Sequence, residues 1–253
     1  PDAVVRDDLT FVIREMISEL NVGHAYYRTG DSERGPSRPV GLLGVDWELH
    51  DGAYRIARII EGADWDVDAR NPLRMQDTGI EVGEYVLAVN GVPIDPSLDP
   101  WAAFIDTIGR EITLAVSPTP SMDDARDVVV RPIRSERGLR YRSWIESNRR
   151  RVAEATDGEV GYIYVPNTGV GGQNDLFRQF YGQLDRKALI IDERWNGGGQ
   201  IPTRFIELLN RPVTNFWARR GSIDWKWPPD AFHGPMCMLI NGQAGSGGDM
   251  FPW

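Results

Sequence analysis

The sequence predicts an α/β protein whose core is interrupted by a small β-rich domain. Beyond residue 134, apolar runs typical of buried strands alternate with amphipathic helical patterns, which favours βαβ units and a parallel sheet. Between residues 39 and 133, short runs of alternating polarity are separated by turn residues, which favours a compact β domain. With 253 residues and 41% hydrophobic composition, the chain can bury a core in each part.

The first segment, residues 1–38, opens with a predicted amphipathic helix over residues 5–20. Its apolar residues recur at helical spacing and require a partner surface. Asn21 and Gly23 are expected to end the helix. The polar stretch 29–38 has the composition of an exposed linker, so we place a boundary near Pro39.

The second segment, residues 39–133, is predicted to be mostly strands, with one helix near residues 101–108. Asn90 and Gly91 form a dipeptide that favours a tight hairpin turn. Trp65, Asp66 and Asp68 lie in a loop and can be interpreted as surface residues. The predicted strand segments are 40–49, 53–60, 84–94, 110–118 and 127–133.

The third segment, residues 134–253, begins with seven arginines between Arg134 and Arg151. Apolar residues at helical spacing and interspersed glutamates favour a solvated helix face over a nucleic-acid site. Strands are then predicted at 160–165, 188–192 and 236–240, with helices near 174–184 and 202–210.

Composition excludes several function classes. A net charge of -9 and a pI near 4.9 disfavour nucleic-acid binding, and no apolar run approaches the roughly 18 residues of a membrane helix. The single cysteine, Cys237, excludes an internal disulfide and a cysteine-based metal site. Its place in the last apolar run predicts a core position.

Ser246 lies in a glycine-rich turn, NGQAGSGGDMF, between the last predicted strand and the start of a helix. Such a corner suits a nucleophile, because small neighbours admit a substrate carbonyl and free N–H groups at the helix start can stabilise an oxyanion. The same letters also fit a helix N-cap or an anion-binding loop.

A second glycine loop, DERWNGGGQIP at residues 192–202, leaves one predicted strand and enters a helix. Open α/β sheets bind ligands at the carboxyl ends of their strands. Consecutive glycines let the main chain approach a substrate and aim N–H groups at an oxyanion. A flexible connector or a phosphate cradle is the alternative interpretation.

The motifs GLLG at 41–44 and GIEVGEYVLAVNGVPI at 79–94 resemble the PDZ domain. The resemblance implies that N–H groups of Leu42, Leu43 and Gly44 hold a peptide carboxylate, with residues 45–48 as the edge strand to which the peptide adds. A PDZ-like spacer that binds nothing is the equal alternative.

The order of parts, ELNVGHAYY, the PDZ-like insertion, GYIYVP, DERWNGGG and NGQAGSGGDMF, resembles the tricorn protease core and, more distantly, the C-terminal processing peptidases. The resemblance spans essentially the whole chain. It implies a crotonase-like α/β core, split by an inserted β-rich PDZ-like domain. It also implies Ser246 as nucleophile, His24 as general base, and N–H groups of Gly247 and of Gly199 or Gly198 as oxyanion donors.

Two departures from the tricorn pattern limit what is carried over. Gly23 stands where the family has a serine before the histidine, and the orienting glutamate of the family lies downstream of residue 253. The sequence is therefore expected to be a piece of a longer protein and to be inactive by itself. His50 and His233 are expected to be structural or exposed.

The resemblance implies a serine endopeptidase that acts on peptides or unfolded segments, with no metal or organic cofactor. It also implies a cytoplasmic location and a homo-oligomer. The charge and the short apolar runs predict neither a nucleic acid nor a membrane as partner. Two alternatives stay open: an inactive PDZ-bearing scaffold that binds peptides, and a crotonase-like acyl-CoA enzyme without a serine nucleophile.

Overall fold

A computed structural model of the chain describes residues 3–28, 30, 35–63 and 65–253. The chain divides into two compact units, Pro1–Arg38 and Pro39–Trp253. Of the linker predicted at 29–38, residues 29 and 31–34 lie outside the described residues.

The first unit contains helix α1, Arg6–Ser18, which confirms the predicted helix with slightly shorter ends. Asp8 Oδ2 accepts hydrogen bonds from the main-chain N–H groups of Val4 at 2.8 Å and Val5 at 3.0 Å. These bonds hold the pKa of Asp8 below its ordinary value. Asn21 adopts a left-handed conformation, φ 48°, just beyond the helix, as expected of a residue that ends it.

The second unit begins with the β-rich domain. Its strands are β1 Val45–His50, β2 Ala53–Ile59, β3 Tyr85–Val89, β4 Val92–Pro93, β5 Ile112–Ser117 and β6 Arg126–Val130. They form one sheet with the order β1-β2-β3-β5-β6, in which the short β4 pairs with β3 and every pairing is antiparallel. The core of this domain includes the fully buried side chains of Leu43, Ile56 and Phe104.

The predicted turn at Asn90 and Gly91 is confirmed. Both residues have positive φ, 50° and 76°, and Val89 pairs with Val92 across the turn. The helix predicted near residues 101–108 is a single 3₁₀ segment, Pro100–Phe104. Two short elements were not predicted: helix α2, Pro72–Met75, and a 3₁₀ turn, Met122–Asp124.

The α/β core contains a three-stranded parallel sheet, which confirms the predicted βαβ pattern. The strands are β7 Val160–Tyr164, β8 Ala188–Asp192 and β11 Met236–Leu239, and β8 lies in the middle. The helices are α3 Arg137–Ala155, α4 Val170–Tyr181, α5 Pro202–Leu209 and α6 Gly247–Met250. Helices α4 and α5 bury Phe180 and Phe205 against this sheet.

Two features of the core differ from expectation. A small hairpin, β9 Asn215–Trp217 and β10 Trp225–Trp227, was not predicted. The prediction that Cys237 is a core residue is wrong: its side chain is exposed. Among the described residues β11 pairs with β8 alone, and its other edge is open. Within the described ranges, no helix combines the length and the apolar character needed to cross a membrane.

Candidate active site

Three loops meet at the carboxyl ends of the parallel strands. After β7, Thr168 N–H donates to Gly198 O at 3.0 Å and Thr168 O accepts from Ile201 N–H at 3.0 Å. After β11, Gly245 N–H donates to Asn196 O at 3.1 Å. The glycine loop that follows the central strand is thus fixed on both sides, at the edge where an open α/β sheet binds ligands.

Ser246 lies immediately before helix α6 in an unusual backbone conformation, with φ 57° and ψ -120°. A residue with a side chain rarely occupies this region, and such strain is concentrated at functional sites. The Ser246 side chain is exposed and makes no capping hydrogen bond to the helix. The N-cap interpretation therefore explains the position of Ser246 but not the use of its hydroxyl.

The two glycine loops are in close contact beside Ser246. A methyl group built on Gly198 would lie 2.6 Å from Gly245 O and 2.8 Å from Ser246 Cβ. One built on Gly247 would lie 3.0 Å from Gly199 N. Only residues without a side chain permit this close approach at Gly198 and Gly247. Glycine is therefore required at both positions for the two loops to pack together.

The main-chain N–H groups of this region differ in availability. Gly198 N–H donates to Asn196 Oδ1 at 2.8 Å. Gly199 N–H and Gly247 N–H donate no hydrogen bond within the described part of the chain. Gly247 opens helix α6, where the first N–H groups have no intrahelical acceptor. Of the two candidates in the NGGG loop, Gly199 is therefore the one whose N–H is open.

Sequence reasoning missed the residues that shape the glycine loop. Asp192 is fully buried and accepts hydrogen bonds from Arg194 Nε at 2.9 Å, Arg194 Nη2 at 2.6 Å and Tyr162 OH at 2.7 Å. Asn196 is fully buried and caps Gly198 through its side chain. Both residues lie in the segment DERWN, directly before the glycines, and this position alone could have marked them as candidates for shaping the loop.

Glu193, in the same DERWN segment, is a buried carboxyl that the sequence analysis did not single out. Its side chain is fully buried, and both oxygens lack a hydrogen-bond partner in the described part of the chain. Burial raises the pKa of Glu193 to about 7, and the negative charges of Asp249 and Asp192 add to the effect. Glu193 N–H donates to Leu239 O at 3.0 Å, and Glu193 O accepts from Asn196 N–H at 3.0 Å. The main chain of Glu193 is thus bonded both to the end of β11 and to the glycine loop.

The GLLG loop precedes β1, as predicted for a PDZ-like carboxylate loop, but two of its three predicted N–H donors already have an acceptor in the same chain. Leu42 N–H donates to Ile133 O at 2.9 Å, and Gly44 N–H donates to Glu136 Oε1 at 2.7 Å. Leu43 N–H has no acceptor among the described residues, and its side chain is fully buried. Peptide binding at this loop stays a prediction.

The three histidines lie in different surroundings. His24 follows α1 in the first unit, is exposed, and has a positive φ of 67°. Its ring lies edge-on to Tyr26, with centroids 6.1 Å apart. In the second unit, His50 Nδ1 is 2.6 Å from Tyr85 OH, and His233 is exposed.

Comparison with known proteins gives one consistent family. Residues 41–135 match the tricorn protease PDZ domain. The chain is 34% identical over 245 residues to tricorn protease homolog 1 of Streptomyces coelicolor, and 29% identical over 251 residues to the tricorn protease of Thermoplasma volcanium. It also superposes on a crystal structure of the tricorn protease with a TM-score of 0.84 at 29% identity.

Nearly the whole chain is therefore similar to one part of the tricorn proteases. The match covers 96% and 99% of this chain in the two relatives and 98% in the crystal structure. In the other direction, the chain spans only 23% and 24% of the length of those relatives, and 24% of the crystallised chain. The shared part of the tricorn fold therefore includes the PDZ domain and the three strand-end loops around Ser246.

Proposed function

We propose that this chain supplies the nucleophile and oxyanion donors of a serine endopeptidase of the tricorn type. The observation that carries the proposal is the surrounding of Ser246. An exposed hydroxyl stands on a strained strand-to-helix corner, next to two main-chain N–H groups that have no acceptor in the described residues. A nucleophile and nearby oxyanion donors are the two parts that acyl transfer requires.

In the proposed reaction, Ser246 Oγ attacks a peptide carbonyl carbon and gives up its proton to His24. The carbonyl oxygen becomes an oxyanion, to which the N–H groups of Gly199 and Gly247 donate. Collapse of this intermediate expels the amine, which takes the proton from His24, and leaves an acyl group on Ser246. A water molecule then hydrolyses the ester through the same steps in reverse roles.

His24 enters this proposal through the family and through chemistry, because a serine hydroxyl needs an adjacent base to react at neutral pH. His24 is exposed within the first unit, so its ring nitrogens are free to accept a proton. A neutral imidazole is the usual acceptor for a serine proton.

The remaining parts of the proposal concern the whole protein. A crotonase-like core is supported by three parallel strands whose carboxyl-terminal loops converge on one edge. Peptide substrates are supported by the similarity of the chain to proteases, the tricorn protease of Thermoplasma volcanium among them. Cytoplasmic location and homo-oligomeric assembly remain predictions from the resemblance.

Covalent labelling tests the proposed nucleophile. The intact protein that contains this chain is treated with a fluorophosphonate, which phosphonylates serines activated for acyl transfer. We expect one labelled peptide, containing Ser246. Ser246→Ala should remove the label and peptidase turnover, and His24→Ala should slow labelling by about 10²-fold or more, the range of general-base effects.

Ser222→Ala is the matched control, because Ser222 is exposed and its hydroxyl makes no hydrogen bond within the described residues. It should be labelled and should turn over substrate like the unmodified protein. Normal turnover by Ser246→Ala would contradict the proposal. A folded protein that takes no label would favour the alternative, an inactive scaffold that binds peptides.

A further inference from the structure

The GLLG loop of the PDZ domain holds a carboxylate that belongs to the same chain. Gly44 N–H donates to Glu136 Oε1 at 2.7 Å, and the Glu136 side chain is only 7% exposed. Glu136 is the N-cap residue of helix α3 and directly follows the residues that match the PDZ family. The contact therefore joins the binding loop of the domain to the first helix of the core.

The loop is shaped to present this N–H group. Gly44 has a φ of +72°, and a methyl group on it would lie 2.5 Å from Asn71 Nδ2 and 2.8 Å from Leu139 Cδ2. Asn71 Nδ2 donates to Gly44 O at 2.6 Å and so holds the following peptide group, which joins Gly44 to Val45. A carboxylate on a fixed N–H group before an edge strand is the chemistry by which such a loop captures a peptide C-terminus.

Arg140 extends the contact along the strand. Its Nε donates to Glu136 Oε2 at 2.7 Å, one helical turn away. Its Nη2 donates to Val45 O at 3.1 Å and its Nη1 to Asp46 Oδ1 at 2.7 Å. Since β1 is the edge strand of its sheet, Glu136 and Arg140 together cover the end of that edge next to the loop.

We propose that Glu136 is the resident ligand of this carboxylate site and keeps the PDZ domain closed to peptide C-termini. A peptide with a free carboxylate competes for Gly44 N–H and extends along β1 only after Glu136 leaves. The resident carboxylate is attached to the same chain, so its effective concentration is of millimolar order and outcompetes weak peptide ligands. This site is separate from Ser246, and its occupancy is independent of the proposed peptidase chemistry.

Calorimetry on the whole chain tests the proposal with paired peptides that differ only in a free or amidated C-terminus. The unmodified protein is expected to show no preference between the two. Glu136→Ala should bind the acid form about tenfold more tightly than the amide, the range for one hydrogen bond to a charged group. Glu154→Ala is the matched control: Glu154 is exposed on the same helix and has no bonded partner in the described residues. It should behave as the unmodified protein does.

Hydrogen exchange at the Gly44 amide gives a second readout. We expect it to be faster in Glu136→Ala than in Glu154→Ala, and to slow again when the acid peptide is added. If the alanine variant fails to fold, Glu136→Met is judged by the same criteria, because its side chain is of similar length and offers no oxygen acceptor to Gly44 N–H. An acid preference in the unmodified protein overturns the proposal. So does a folded variant with fast Gly44 exchange and no acid preference.

Discussion

Ser246 combines a strained backbone with an exposed hydroxyl. Its backbone has a φ of 57°, and its hydroxyl is exposed without capping the helix that it precedes. Residues in sparsely populated backbone regions cost about 1–3 kcal/mol, which persists only where the surroundings enforce it. Gly245, the preceding residue, donates its N–H to Asn196 O. The residue before Ser246 is thus bonded to the loop that also contains Gly199.

Glu193 gives a pH-dependent prediction. Its pKa is raised to about 7 from an ordinary value of 4.5, so the folded protein binds more protons than the unfolded chain between these values. The contribution of Glu193 to the free energy of unfolding is therefore greatest below about pH 4.5, and it is lost as the pH rises through about 7. Glu193→Gln removes the ionisation, and at pH 8 it should raise the free energy of unfolding by up to about 3 kcal/mol.

Urea unfolding at pH 5 and pH 8 measures the difference. At pH 5 the same substitution should have little effect, because the carboxyl is then mostly neutral in the folded protein. Glu154→Gln, on the exposed surface, is the control and should change neither value. An equal effect of Glu193→Gln at both pH values would show that its charge is compensated in the folded protein.

At the scale of elements, the glycines of the loop after β8 differ in how much room each leaves for a side chain. Gly199 has a φ of +157°, and a methyl group on it would overlap the main chain of Thr168 and Gly169. Gly197 has no such restriction: the nearest atom to a methyl group there is Pro166 O at 4.0 Å. The consecutive glycines therefore include one position that tolerates a side chain and one that does not.

We predict that Gly199→Ala displaces the loop and removes its open N–H from the site. Loss of one oxyanion donor lowers kcat by about 10²–10³-fold in comparable hydrolases. Gly197→Ala, one methyl group two residues earlier, should keep kcat within about twofold, since the added methyl meets only ordinary contacts. Steady-state kinetics of both variants in the intact protein make the comparison. Equal losses would mean that the loop as a whole, not the Gly199 N–H, is what matters.

The sequence was informative about elements and uninformative about their long-range contacts. The parallel strands β7, β8 and β11 were predictable because each is a short apolar run between turn residues. Helix α2 and the β9–β10 hairpin were missed because elements of three or four residues carry no measurable periodicity. Cys237 was misplaced because burial of an edge strand depends on what flanks it.

The candidate site shows the same division. The glycine motifs placed Ser246, Gly199 and Gly247 at strand ends, and the structure brings these residues together. The occupation of Gly198 N–H by Asn196, and of Gly44 N–H by Glu136, depends on side-chain directions that letters do not encode. The roles of Ser246 and His24, and the predicted domain limits, stay predictions.

At the scale of the whole second unit, Arg142 connects its two parts. Arg142 lies in the arginine-rich helix that the sequence suggested was a solvated face, but its side chain is 5% exposed. It donates to Asp66 Oδ2 in the β-rich domain at 2.9 Å and to Asp175 Oδ1 in α4 at 2.6 Å. Trp65 covers its guanidinium, 4.5 Å from the ring centroid. Asp66, interpreted from sequence as a surface residue, is buried.

Removing Arg142 would leave two buried carboxylates without their cation. Breaking a buried ion pair by removing one partner typically costs about 3–5 kcal/mol, because the remaining charge is uncompensated. We therefore predict that Arg142→Ala lowers the free energy of unfolding by about this amount. Arg151→Ala is the matched control, since Arg151 is exposed on the same helix and forms no ion pair within the described residues; its effect should stay within about 0.5 kcal/mol. Urea unfolding followed by tryptophan fluorescence measures both.

A double variant separates the two causes of this loss. If the loss comes from the carboxylates that are left without a cation, adding Asp66→Asn to Arg142→Ala should recover part of the free energy of unfolding. A double variant no more stable than Arg142→Ala would place the loss in packing against Trp65 instead.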